Sequence, residues 1–314
     1  MKLLATTLSL TMLSAFAAAP NETKGKIETV APDRTDKVDK LITNRRFRAS
    51  NGSLSKFSVN ASLSYNGGSI EKPFAADRPN IANAGDTTSI SGLSGTINTT
   101  YRITKLNRIN FGAGIQMLAP FNGSIDTDDP RAKREFDRNQ GELDIANPSL
   151  SYTHMNKFLG VQTILTGGMT KYTADNLTDV GYDNSIDVSV NTMYDFGGSN
   201  FSAGALLVGN RYFFDKDDTE FLASQNETVF GFLPQAEYII NDTYNLRTII
   251  RSNWYQNNRA QRSSKYQTRP VTQSIGLGIS VNRDVFLYPN LQFPYDNLKL
   301  ANTNVGFSAN INMF

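Results

Sequence analysis

From residue 54 to the end at Phe314, large apolar residues return at every second position. Side chains of an extended strand point alternately to its two faces, so each such run describes one apolar and one polar face. In 303–314, Val305, Phe307, Ala309, Ile311 and Met313 form one face, and Asn304, Gly306, Ser308, Asn310 and Asn312 the other. The run 54–65 sets Phe57, Val59, Ala61, Leu63 and Tyr65 against Lys56, Ser58, Asn60, Ser62 and Ser64. Ten more runs lie between, at 89–103, 108–119, 143–154, 159–172, 185–196, 200–214, 228–240, 244–256, 271–281 and 285–293. In 143–154 the phase changes at Asn147-Pro148. Proline cannot donate to a ladder, which predicts a bulge there.

The connections alternate in length. Short ones fall at 104–107, 155–158, 197–199, 241–243 and 282–284, and longer ones at 66–88, 121–142, 173–184, 215–227, 258–270 and 294–302. This rhythm predicts an all-β fold, a transmembrane antiparallel up-and-down β-barrel of about twelve strands. Tyr101, Phe158, Tyr194, Phe196, Tyr238, Tyr244 and Phe314 lie beside the short turns, and Phe121, Tyr172, Phe213, Phe214, Phe230 and Trp254 towards the long loops. Those are the aromatic girdles expected at two membrane interfaces.

Bulk composition agrees. The mean hydropathy of −0.37 excludes a helical membrane protein but not a barrel, in which only alternate residues meet lipid. The net charge of +2 gives no reason to expect nucleic acid as a partner. With no cysteine, disulfides, thiol chemistry and cysteine-ligated metals are absent. Lys2 precedes an apolar run, 3–19, too short to span a membrane and rich in small residues at its end. With Ala15-Phe16-Ala17 as cleavage site, 1–17 reads as a secretory signal peptide and the mature chain begins at Ala18. A polar segment, 18–53, then precedes the barrel, 54–314. Within it 35–48 reads as a short helix, with Thr35 as N-cap, Val38, Leu41 and Ile42 on one face, and Arg45, Arg46 and Arg48 at its end. It has three readings: a plug in the lumen, a periplasmic tether or a solvated leader.

An exported chain whose closing amphipathic strand ends on an aromatic, Phe314, resembles the bacterial outer-membrane β-barrels. The resemblance is architectural and covers nearly all of the chain from Leu54. It implies a porin-like protein in the bacterial outer membrane, with both termini periplasmic. Partners would be outer-membrane lipid, lipopolysaccharide and the barrel insertion machinery, which reads the last strand.

The inventory of reactive residues points away from an enzyme. His154 is the single histidine; Met155 and Asn156 follow it, with no serine two positions on, and a three-histidine metal site is ruled out. No cofactor is expected. Charges on inward faces are the better signal. Lys56, Asp187, Glu237, Arg247, Arg251 and Tyr255 are the pore-lining candidates, since charged rings set ion preference. The loop segment 126–138 offers Asp128, Asp129, Arg131, Lys133, Arg134 and Arg138 as a constriction loop, a contact for lipopolysaccharide phosphates or a solvated loop. Two functions follow: a channel for ions or small hydrophilic solutes, or a structural barrel with a closed lumen that self-associates. Ala61, Ala113, Ala203, Ala205 and Ala309 are the small outward residues that would let barrels approach closely in a homo-oligomer.

Overall fold

Twelve of the alternating runs become wall strands, each paired antiparallel with its chain neighbours until the last meets the first. The computed structural model describes residues 39, 41–50, 53–121, 133, 142–215, 225–258 and 266–313. All of them belong to the compact unit Thr35–Phe314. The wall is β1 (Phe57–Ser69), β4 (Gly92–Arg102), β5 (Asn107–Leu118), β6 (Asp144–Phe158), β7 (Val161–Lys171), β8 (Tyr182–Asp195), β9 (Phe201–Phe214), β10 (Asn226–Ile239), β11 (Tyr244–Asn258), β13 (Thr272–Ser280), β14 (Val285–Pro294) and β15 (Asn304–Met313). Closure runs through β1 and β15, from Val59 opposite Met313 to Tyr65 opposite Phe307. Two short pieces, β2 (Asp77–Pro79) and β3 (Thr88–Ile90), pair as a ribbon within the first long loop, and β12 (Gln267–Thr268) adds to the end of β11.

The outer face is apolar all round. Phe57, Phe111, Leu165, Leu207, Leu246 and Leu291, from six different strands, are all exposed. So much exposed apolar surface on a closed wall is a lipid-facing band. Tyr101, Phe158, Tyr194, Phe196, Tyr238 and Tyr244 are exposed beside the short turns, as the girdle expectation had them. The long-loop girdle needs correction. Tyr172 bonds Ser185 and meets the rings of Tyr182 and Tyr212, and Phe214 meets Tyr182, so both turn inward. Phe314 and the Trp254 side chain lie outside the described residues. The alanine expectation is also trimmed. Ala61, set between Ile97 and Ile311, and Ala309, between Leu63 and Leu287, are buried and present no bare wall to a second barrel.

The bulge at Asn147-Pro148 is present, with both residues set against the step between Gly112 and Gly114. Asn147 takes φ of 55°, and its side chain accepts hydrogen bonds from the backbone of Thr173 and Ala174. The turn expected at 155–158 is displaced. β6 continues to Phe158, which pairs with Val161, so the turn is Leu159-Gly160. Both residues have positive φ, 49° and 82°, the geometry that matches strand twist in a two-residue hairpin. Leucine is a poor occupant of that conformation. Replacing Leu159 by Asn should raise stability by about 0.5–1 kcal/mol, since Asn tolerates the left-handed region and Leu159, 81% exposed, gives up little burial. Urea titration in lipid vesicles checks this; a lowered midpoint would count against it.

Candidate functional site

The inner wall is a hydrogen-bonded belt. Ser62 bonds Asn310 across the seam, and Asn60 bonds Thr100 at 2.8 Å. Thr100 bonds Asn110 at 2.8 Å, Asn110 reaches Thr153, and Thr153 meets Thr166 at 3.1 Å. Amide and hydroxyl groups thus line one side of the lumen from β15 through β7.

At the short-turn end the lumen holds part of the N-terminal segment. Helix α1 (Arg45–Ser50) begins at Asn44, whose side-chain oxygen accepts the Phe47 amide at 3.0 Å, an N-cap bond. Six residues do not hold a helix in water, so the seat supplies the order. Phe47 is fully buried with Ile42 among Met155, Ile164 and Met193, all on the inward phase of β6, β7 and β8. Burying the ring contributes on the order of 2 kcal/mol. Ala49 rests with Phe286 and Tyr288, and its carbonyl accepts from Asn312 Nδ2 at 2.6 Å. The expected single helix over 35–48 is thus broken at residues 42–44, where Asn44 caps a new one; Thr35 and Val38 lie outside the described residues. Of the three readings for the segment, residues 39 and 41–50 occupy the plug position.

Charge completes the seat. Glu237, 3% exposed, receives the Nε of Arg247 at 3.3 Å and of Arg46 at 3.6 Å on one oxygen. Its other oxygen accepts from Asn44 at 2.9 Å and Asn245 at 3.0 Å. Gln235 Oε1 accepts from both arginines, and the Arg247 guanidinium lies 4.7 Å over the Tyr288 ring. Two buried cations therefore share one anion. Burial, then the nearby Arg247, push Arg46 down to about 9, against the pull of Glu237. Nearer the rim, Asp39 pairs with Arg283 at 3.0 Å and Arg48 at 3.9 Å, Thr43 donates to Asp195, and Arg45 pairs with Asp242.

Of the sequence candidates, Glu237 and Arg247 meet in this seat. Arg251 is inward on the same strand, its Nη1 buried without a hydrogen-bond partner. Asp187 is inward near the long loops, bonded to Ser185 and Thr170 beside the Tyr172–Tyr182–Tyr212 cluster. Two candidates do not line the lumen. Lys56 precedes β1, is exposed, and sits 5.6 Å over the outward ring of Tyr101. Tyr255 is outward: Phe232 faces Ser252 but Gly231 faces Trp254, so the extra residue Asn253 reverses the phase. In the loop, Lys133 is exposed, and Asp128, Asp129, Arg131, Arg134 and Arg138 lie outside the described residues. His154 bonds Asn107 at 2.7 Å.

No family model matches the sequence. No curated protein matches it either. Among solved structures, the fold is similar to an outer membrane channel from Pseudomonas putida F1, at 9% identity and a TM-score of 0.49, covering 83% of this chain and 96% of that one. It is similar also to the porin NanC, at 10% identity and 0.41, covering 81% and 97%. The translocator domain of the autotransporter NalP from Neisseria meningitidis is similar at 8% identity and 0.38, covering 86% and 94%.

Proposed function

We propose that this chain is an outer-membrane channel for passive diffusion of ions or small hydrophilic solutes, narrowed at its inner mouth by residues 39–50. The observation that carries the reading is the amide and hydroxyl belt on the inner wall, a path on which a hydrated solute can exchange water for protein hydrogen bonds. The reading is non-enzymatic. It places both termini and the short turns in the periplasm, after removal of residues 1–17. Lipopolysaccharide and the insertion machinery, through the strand ending at Phe314, are its partners.

Single-channel current across a planar bilayer tests it. Stable unitary steps are the expected result, with a reversal potential on the anion side, because Arg46, Arg108, Arg247 and Arg251 face inward and Glu237 pairs with only Arg46 and Arg247 among them. A folded barrel without current would sink it. The seat of α1 favours one rival, a structural barrel with a closed lumen that assembles with copies of itself. No current from a plug-free variant would decide for that rival.

A further inference from the structure

Arg108 is a poorly compensated charge in the described wall. It lies on the inward face of β5, is 5% exposed, and has its Nε buried with no hydrogen-bond partner. The residue directly opposite on β4 is Arg102, so two like charges share one face of one strand pair. Among the described residues, the charges acting on Arg108 are those of Arg102 and Arg283. Arg283 is committed to Asp39 and Asp284, and Arg102 donates to the Leu54 carbonyl. On its other side Arg108 faces Thr153, a buried hydroxyl that accepts from Asn110 and, when Thr166 donates to it, keeps its own proton free to donate. Like charges opposite each other in a ladder destabilise it, and a buried guanidinium with an unmet donor costs more still.

We infer that Arg108, with Arg102 and the Thr153 hydroxyl, forms a binding site for a small oxyanion of the phosphate, sulfate or carboxylate class on the inner wall beside the plug. The planar fork of a guanidinium suits such an anion, and the burial of Arg108 admits only a small one. The inward phase excludes a lipid headgroup as the occupant. Leu106, two residues before Arg108, borders the Phe47 pocket, which sets the site at the inner mouth. The inference deepens the channel reading, on which it rests for the solute's route, so a binding measurement rather than a current tests it.

The full barrel in detergent micelles is titrated with inorganic phosphate by calorimetry, at an ionic strength held constant with sodium chloride. Saturable one-site uptake is expected, weakened about tenfold or more in Arg108→Gln and less in Arg108→Lys, which keeps the charge but not the fork. Arg102→Gln should also weaken it and serves if Arg108→Gln does not fold. No saturable uptake by the parent, or equal affinity in the glutamine variants, overturns the site. Binding without bilayer current would keep the site and remove the channel; current without binding would do the reverse.

Discussion

Deleting residues 39–50 should raise single-channel conductance about tenfold, because a helix about 10 Å across fills much of a lumen between the side-chain-filled eight-strand barrel and the open sixteen-strand porin. The wall has no need of the segment. Its strands pair only with one another, and the segment's own contacts are side-chain bonds and two small apolar clusters. The variant should therefore keep its strand content by circular dichroism while passing more current and larger solutes. Equal conductance in parent and variant would show that residues 39–50 do not restrict the path.

Glu237→Gln should be the most damaging single change to that seat. Glutamine keeps an acceptor for Asn44 and Asn245, so the lost quantity is the charge. Arg46 and Arg247 are then left facing each other, 11% and 7% exposed. Removing the anion of a buried ion pair costs about 3–5 kcal/mol. The segment can leave and the wall cannot, so the loss should fall on the segment, with its opening population rising by about two to four orders of magnitude. Trypsin cleavage at Arg45, Arg46 and Arg48 reports it, read beside the urea midpoint of the barrel. Arg46→Met, which leaves Glu237 paired with Arg247, should do far less. Equal protection of the segment in Glu237→Gln and parent would refute the argument.

Most of the wall was legible because alternation with one apolar face fixes strand, direction and register together. Where alternation slips, the reading slipped with it. The bulge at Asn253 carries no proline or glycine signal, unlike the one at Pro148, so alternation alone points Tyr255 inward. Nothing local marks a leucine in a left-handed turn, so from sequence Leu159 reads as a strand residue. Lys56 stands outside β1, where alternation no longer governs direction. Arg102 and Arg108 were readable in principle: both fall on the polar phase of their runs, opposite Tyr101 and Ile109. The seat of α1 was not. Its helical face could be read, but the pocket for Phe47 is assembled from Met155, Ile164 and Met193, residues far apart in sequence that only the closed barrel brings together.

The pairing of β1 with β15 also orders events in time. Its partners stand at opposite ends of the wall sequence, so loop-closure cost should make this seam the last to zip. The plug is tethered just ahead of β1, yet the groups that grip it come from β6, β7, β8, β10, β11, β14 and β15. It must wait as a loose leader until the cylinder exists. Protection of Arg45–Arg48 from protease is thus a clock for completed assembly, and a chain stalled before its last strand would carry two raw edges and an unguarded leader together.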